Sequence, residues 1–165
     1  MKFLLVGSLL LFPSASAAAG SVVFFGDSIT AGYGVEPEEA YPALIRRKIE
    51  ERKWNFPVVA AGVSGDTTSA ALGRLKWSLS GDVAVVVIAL GGNDGLRGVP
   101  AEATKANLGK IIDGARALHP RADILLAGMK MPPNYGAAFT ERYAKIFPDL
   151  AREKKVTLIP FLLEK

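Results

Sequence analysis

The chain has 165 residues and a net charge of +4 at pH 7, with 50% hydrophobic and 22% charged residues, which is typical of one globular domain with a sizeable core. Lysine and arginine are scattered among glutamate and aspartate, and so slight a positive charge argues against nucleic acid as a partner. There is no cysteine and only one histidine, which excludes disulfides, thiolate catalysis and metal sites built from thiolates or several histidines, and we expect no metal or cofactor.

The first residues have the pattern of a secretory signal peptide. Lys2 gives a short basic start, residues 3–12 form an apolar run, and small residues at positions 14–18 suit cleavage near Ala17. The run is too short to span a bilayer as a helix, which needs about 20 residues. We therefore predict a signal peptide over residues 1–17, a domain over residues 18–165 and a periplasmic or extracellular location; a buried N-terminal helix is the alternative.

Apolar runs alternate with amphipathic stretches along the rest of the chain, and this alternation predicts a parallel sheet with crossover helices. The run over residues 83–90 is almost wholly apolar, which predicts a central strand, whereas Pro57 is tolerated only at the beginning of a strand or at a sheet edge. Pro148 predicts a break or kink in the last helix. The predicted strands cover residues 22–25, 57–61, 83–90, 122–129 and 156–163, and the predicted helices cover residues 41–52, 67–75, 100–118 and 137–154.

These elements are expected to form one domain, because no repeat, low-complexity tract or linker interrupts them. The connections between strands are long enough for right-handed crossovers. The predicted fold class is α/β, as a three-layer α/β/α sandwich with about five parallel strands in a flavodoxin-like order.

Three strands end in turns that combine glycine with acidic, hydroxyl or amide residues, and the carboxyl ends of parallel strands share one edge of a sheet. Ser28 follows the first strand, where a nucleophile would be presented, although serine and aspartate are also favoured as helix N-caps. Asp27 suits a turn in which its side chain accepts backbone amides. The turns are Gly26-Asp27-Ser28, Ser64-Gly65-Asp66 and Gly91-Gly92-Asn93-Asp94.

These turns contain the groups that acyl transfer requires. A serine hydroxyl attacks a carbonyl carbon, and the resulting oxyanion needs preorganised hydrogen-bond donors. The amides of Ser28 and Gly65 and the side-chain nitrogen of Asn93 are candidate donors. Each has a structural alternative, because Gly65 can serve a turn that requires positive φ and Asn93 can belong to a tight turn.

The order of the turns resembles the sequence blocks of the GDSL, or SGNH, hydrolases, and is most similar to their bacterial periplasmic branch of acyl-CoA thioesterases, lysophospholipases and arylesterases. The resemblance extends from about Val22 to the end of the chain. It implies a flavodoxin-like sandwich, Ser28 as nucleophile, and an oxyanion hole formed by Ser28, Gly65 and Asn93. The blocks are Gly26-Asp27-Ser28 with Gly32-Tyr33-Gly34, Ser64-Gly65-Asp66-Thr67, the segment 91–98, Pro132-Pro133-Asn134-Tyr135-Gly136 and the segment 158–161.

The family pattern also has a catalytic aspartate and histidine spaced Asp-x-x-His near the C-terminus, and these 165 residues contain no such pair. The one histidine, His119, lies in a loop that enters a strand, so we expect it at the opposite edge of the sheet from Ser28. We expect the chain to be an inactive fragment that ends before this block and the last helix. Possible substitute bases are Lys130, Asp27, Asp66 and Asp94.

The sequence therefore predicts a serine esterase or thioesterase that hydrolyses a small-molecule acyl ester or thioester through an acyl-enzyme on Ser28. The resemblance places the acyl chain across residues 95–99 and 131–135, and we expect a monomer with no stable membrane span. The alternative is a non-catalytic module that binds an acyl group or an anion on the same fold. The candidate substrate-binding residues are Asp27, Gly95, Leu96, Met131, Pro132 and Tyr135.

Overall fold

The computed structural model describes residues 20–164, and the predicted signal peptide lies outside these described residues. The strands are β1 (Ser21–Gly26), β2 (Val58–Gly62), β3 (Val83–Ala89), β4 (Asp123–Ala127) and β5 (Thr157–Ile159). They form one sheet in the order β2-β1-β3-β4-β5, and every neighbouring pair is parallel. This is the predicted flavodoxin-like order, with the apolar β3 at the centre and the strand after Pro57 at an edge.

The connections between the strands contain the predicted helices and two short additional ones. The α-helices of the described residues are α1 (Ser28–Ala31), α2 (Tyr41–Glu51), α3 (Thr68–Ser78), α4 (Gly92–Leu96), α5 (Ala101–Leu118) and α6 (Ala137–Lys154), with a 3-10 helix at Pro133–Tyr135. Thr67 caps α3, as its hydroxyl accepts a hydrogen bond from the Ala70 amide at 3.3 Å. Within residues 20–164, no helix is long and apolar enough to cross a membrane.

The main core lies between one face of the sheet and the three helices α3, α5 and α6. Successive side chains of a strand point to opposite faces, so Val23 and Phe25 of β1 share this face with Val86 and Ile88 of β3, their partners in register. All four are at most 1% exposed. Burying a side chain of this kind stabilises the fold by about 1.5–3 kcal/mol. Leu108, Ile111, Ile112 and Ala115 supply the α5 side of the core.

The opposite face of the sheet carries α2 and an apolar groove of about 440 Å³ beside it. We call this surface the open face; its sheet side consists of Val22, Phe24, Val85, Val87, Leu125 and Ile159. Ile45 of α2 borders the groove and is 37% exposed. The three layers are therefore unequal among the described residues, with three long helices on one face and α2 on the other.

The sequence predicted a break or a kink at Pro148, and the break is wrong, because α6 runs through this residue without interruption. The kink stays a prediction. Proline lacks the N–H that would bond to the Ala144 carbonyl. Ala144 and Pro148 both lie on the exposed side of α6, so water can hydrate that carbonyl. On the other side, Phe147 and Leu150 are buried in the core and hold the helix in place.

The last strand is shorter than predicted, with three residues in place of the eight over 156–163. Gly128 donates to the Ile159 carbonyl at 2.8 Å, and the bond that follows, from the Leu162 amide to the Gly128 carbonyl, is long at 3.4 Å and falls outside the regular parallel ladder. A Cβ atom at Gly128 would collide with the Pro160 carbonyl, so the chain crosses β4 closely at this point.

Candidate active site

Ser28 is the first residue of α1, directly after β1. The N-cap is Asp27, whose carboxylate accepts a hydrogen bond from the Ile29 amide at 3.1 Å, so the alternative of Ser28 as the cap residue does not apply. The turn is tight because Gly26 has no room for a Cβ, which would collide with the Thr30 hydroxyl. Ser28 itself is only partly buried.

The Asp27 carboxylate is buried beneath this turn, with 2% of the residue exposed. Burial raises the pKa of Asp27, and the nearby carboxylates of Asp66 and Asp94 raise it further, while the hydrogen bond from Ile29 opposes the shift. Asp27 thus organises the turn through a backbone amide, as the sequence predicted.

The turn after β2 lies against the turn after β1. The Val63 amide donates to the Gly26 carbonyl at 3.0 Å, which joins the two strand ends. Gly65 has a φ of +85°, a conformation that glycine adopts without strain. Within residues 20–164, and apart from the two chain neighbours, a Cβ at Gly65 would meet one atom within 4 Å, Nη2 of Arg97 at 3.6 Å, so the space where a side chain would stand is open.

The segment after β3 is the short helix α4, not a tight turn, and Gly91 precedes it with a φ of +110°. Asn93 lies in α4, and its side-chain nitrogen donates to the Asp66 carbonyl at 3.0 Å. An asparagine amide has two hydrogens, so the second remains for a ligand. This contact brings Asn93 beside the residue that follows Gly65.

A buried network fixes α4 to the start of α3. Asp94 is 1% exposed and accepts two hydrogen bonds from Thr68, from its amide at 2.8 Å and from its hydroxyl at 2.5 Å. The Asn107 side chain donates to the same Thr68 hydroxyl at 3.2 Å. Tyr143 of α6 donates to the Gly91 carbonyl. Buried hydrogen bonds thereby join the segment after β2 to α4, the helix after β3.

The geometry gives little support to the substitute bases. Asp94 is occupied by Thr68, and Asp66 forms an ion pair with Arg74 at 2.6 Å. Lys130 is exposed, lies 3.8 Å from Glu164 and packs over the Phe161 ring at 4.6 Å. Within residues 20–164, no group of three His, Cys, Asp or Glu side chains is arranged to hold a metal ion.

His119 follows α5 at the amino edge of the sheet, as the sequence predicted. Its ring nitrogen Nε2 is 2.7 Å from the carbonyl of Leu79, which lies just after α3 and before β3. The candidate nucleophile follows the carboxyl end of β1, at the opposite edge. The imidazole therefore has a structural contact far from Ser28.

The two loops predicted to receive an acyl chain touch each other. A Cβ at Gly95 would collide with the Met131 sulfur, and the Tyr135 hydroxyl donates to the Leu96 carbonyl at 3.2 Å. Leu96 and Tyr135 are exposed, as is Pro132. Leu96, Met131 and Tyr135 form an apolar wall beside α4, the helix that contains Asn93.

Sequence reasoning missed the polar residues of the helices whose hydrogen bonds hold the strand-end segments in place. Arg74 stands between the buried Ala71 and Leu75 on the inner side of α3, and an arginine on a buried helix face was the available signal. Neither the apolar pattern nor the turn composition pointed to the others, because each contributes through a long-range contact. The missed residues are Arg74, Thr68, Asn107 and Tyr143.

The arrangement suits stabilisation of an oxyanion. Parallel strands deliver Ser28, Gly65 and Asn93 to one edge, and hydrogen bonds link their turns into a rigid unit. Backbone amides beside a positive-φ glycine and an asparagine side chain are the donors that acyl-transfer sites use.

Comparison with known proteins agrees with this geometry. Residues 24–165 match the GDSL-like Lipase/Acylhydrolase family. The chain is 38% identical over 149 residues to Esterase TesA of Pseudomonas aeruginosa, with 90% of this chain and 73% of that protein covered. It is 37% identical over 158 residues to Thioesterase 1/protease 1/lysophospholipase L1 of Escherichia coli K12, with 95% of this chain and 74% of that protein covered.

Among solved structures, the SGNH-hydrolase family esterase AlinE4 superposes with a TM-score of 0.81 at 37% identity, covering 88% of this chain and 77% of that one. The family match, the relatives and the shared fold lead to one conclusion. The chain belongs to the GDSL-like lipase and acylhydrolase family, whose SGNH fold it has, and is a GDSL-type ester hydrolase by descent.

Proposed function

We propose that the protein is a serine esterase or thioesterase that works through an acyl-enzyme on Ser28. The observation that carries this proposal is the hydrogen-bonded contact among the turns of Ser28, Gly65 and Asn93 at the carboxyl edge of the sheet. The names of the relatives agree with hydrolysis of an ester or thioester. One is called an esterase, and the other a thioesterase, protease and lysophospholipase.

In the proposed reaction, Ser28 Oγ attacks the carbonyl carbon and its proton passes to a general base. The amides of Ser28 and Gly65 and the remaining hydrogen of Asn93 stabilise the oxyanion. Collapse of the tetrahedral intermediate expels the alcohol or thiol, which takes the proton. Water then attacks the acyl-enzyme, releases the carboxylic acid and returns the proton to Ser28.

We propose that the base comes from residues after Lys165, as an Asp-x-x-His block followed by a helix. His119 is on the opposite edge of the sheet, and the 165 residues contain no Asp-x-x-His pair. About a quarter of the length of the relatives has no counterpart in the match, and the open face is the surface on which such a helix would pack. Single-domain α/β sandwiches cover both faces of a parallel sheet.

The substrate is a small acyl ester or thioester, with its acyl chain along the wall formed by Leu96, Met131 and Tyr135. Gly95 contributes by allowing Met131 to approach. Pro132 lies beside the wall, since its carbonyl accepts a hydrogen bond from the Tyr135 amide at 3.2 Å. Asp27 contributes from below by shaping the turn of Ser28. The mature protein is proposed to act outside the cytoplasm as a monomer, after removal of residues 1–17.

A second candidate is a non-catalytic module that binds an acyl group or an anion at the same edge. The observation that favours it is the lack of a histidine near Ser28. In that case the glycine-rich edge would use the same donors for a bound carboxylate instead of a transition state.

The deciding experiment measures hydrolysis of p-nitrophenyl butyrate by the product of the complete reading frame and by the 165-residue chain. Ser28→Ala should lower kcat by about 10³-fold or more in the complete product. Ser80→Ala, at an exposed serine on the amino edge, is the matched control and should keep full activity. Full activity of Ser28→Ala would refute the enzyme proposal, and a reading frame that ends at Lys165 with butyrate binding but no turnover would support the binding module.

A further inference from the structure

We propose that Arg74 is a positioning residue that fixes the Gly65 amide relative to Ser28, an inference that rests on the proposed roles of these two residues. Arg74 lies on α3, and its side chain is 17% exposed. Its guanidinium reaches the ends of both β1 and β2 beneath the candidate site. No other side chain in the described region has hydrogen bonds to both strand ends.

The guanidinium joins four acceptors. Nη2 donates to the Gly26 carbonyl at 2.8 Å, at the end of the strand that presents Ser28. Nη1 donates to the Ala61 carbonyl and to the Ser78 hydroxyl, each at 3.0 Å. Nε donates to the Asp66 carboxylate at 2.6 Å. One planar group therefore holds the first turn and the second turn at a fixed separation.

Asp66 transmits this constraint to the candidate oxyanion donors. Its side chain is held by Arg74, and its carbonyl accepts the hydrogen bond from Asn93 at 3.0 Å. Gly65 directly precedes it, and a glycine at φ +85° does not fix its own orientation as a bulkier residue would. The Asp66 amide also donates to the Val63 carbonyl at 3.2 Å and closes the turn that contains Gly65. The direction of the Gly65 N–H therefore depends on this turn, which Arg74 and Asn93 hold in place through Asp66.

Arginine is the side chain that this arrangement requires. Its rigid fork presents donors in several fixed directions, and its flat face packs 4.4 Å from the centre of the Phe25 ring. A lysine has a single nitrogen and cannot reach the Asp66 carboxylate and the Gly26 carbonyl in the same geometry. Replacing Arg74 by lysine should keep the charge and lose the shared contact.

A displaced oxyanion donor lowers transition-state stabilisation more than substrate binding. In the product of the complete reading frame, we expect Arg74→Lys to lower kcat about 10- to 100-fold, with KM changed by less than about twofold. Asp66→Asn is the milder variant, because it keeps the carbonyl contacts of Arg74, and should lower kcat in the same direction. Arg116→Lys is the control, since Arg116 donates to the Lys154 carbonyl on the surface, and it should leave kcat unchanged.

A second measurement does not depend on turnover. In the 165-residue chain, the NMR amide signal of Gly65 should shift in Arg74→Lys and Asp66→Asn and stay in place in Arg116→Lys. The inference is overturned if Arg74→Lys leaves either this signal or kcat unchanged while Ser28→Ala abolishes activity. If Ser28→Ala remains active, the proposed function fails instead, and a Gly65 signal that shifts in the two variants still shows that Arg74 positions the Gly65 amide.

Discussion

Ionisation of Asp27 weakens the folded protein, because this carboxyl is buried beneath the turn that it caps. Burial raises the pKa of Asp27 above its ordinary value of 3.8, with a further contribution from Asp66 and Asp94. A raised pKa in the folded state means that the folded chain binds the proton more tightly than the unfolded chain. The resulting stability is fully present below the unfolded pKa and is lost as the pH rises through the folded pKa.

We predict that Asp27→Asn gains stability relative to the original protein as the pH is raised from about 3.5 to 7. Asparagine caps a helix about as well as aspartate and carries no charge that burial penalises. Urea unfolding of both proteins at several pH values measures the difference in free energy of unfolding. Asp123→Asn, at an exposed carboxylate, is the control. A difference for Asp27→Asn that is flat or falls with pH contradicts the prediction.

Among single residues, the sequence predicted the polar residues of the strand-end turns but not the side chains that hold these turns in place. Asp27 was recognised because an acidic side chain in a turn at a strand end can accept hydrogen bonds from nearby backbone amides. Arg74 was not recognised, because Gly26, its most distant acceptor, lies 48 positions away along the chain. Such a contact exists only once the strands have been assembled in space.

At the scale of elements, the open face leaves apolar side chains of β1, β3 and β4 in contact with a groove. Apolar surface exposed to water favours association with another apolar surface. A helix contributed by residues after Lys165 would cover this face and complete the second outer layer. This is the structural part of the proposal about the general base.

We predict that the 165-residue chain binds the dye ANS on the open face and that the product of the complete reading frame binds much less. Ile45→Glu should reduce the dye fluorescence of the 165-residue chain, because it places a charge in the groove. In the complete product the same variant should lose about 1–3 kcal/mol of stability. Leu118→Glu, with a similar exposure of 39% at the end of α5, is the matched control.

The outcome would contradict the proposal if both proteins bound the dye equally and the complete product tolerated Ile45→Glu as well as Leu118→Glu. Dye fluorescence and urea unfolding together separate a covered face from one that stays open.

Element types were predicted well and element ends less well. Apolar runs gave the strands, since a strand buried on both faces needs apolar residues throughout. The predicted break at Pro148 failed because the Ala144 carbonyl, which this proline leaves without an N–H partner, lies on the exposed side of α6. The helix α4 was missed because five residues with two glycines carry no helical pattern.

At the scale of the whole molecule, the alternation of strands and helices predicted the strand order. The apolar run over residues 83–90 indicated the central strand, and Pro57 indicated a strand at a sheet edge. Whether the chain leaves the cytoplasm depends on residues 1–17, which the sequence predicts to be a signal peptide. Their removal would also remove Lys2 and leave a net charge of +3.

We predict that the protein made in a Gram-negative host is exported and begins at Ala18. The small residue at Ala17 meets the requirement of the cleavage site, so Ala17→Arg should block processing while Ala17→Ser should not. Mass spectrometry of the periplasmic fraction measures the mature N-terminus. A product of the original gene that retains Met1 in the cytoplasm contradicts the prediction.

The position of β1 between β2 and β3 has a consequence for the time at which the site can form. Val23 pairs with Val59 on one side and with Val86 on the other, so the strand that presents Ser28 is made first and gains its second neighbour only when β3 has been made. Parallel pairing between distant segments is slow, because the entropy cost of closing the loop comes before the stabilising contacts have formed. A chain that emerges from its ribosome therefore carries Ser28 on a strand that lacks one of its two neighbours until Ala89 has been added, which suits the predicted export of an unfolded polypeptide.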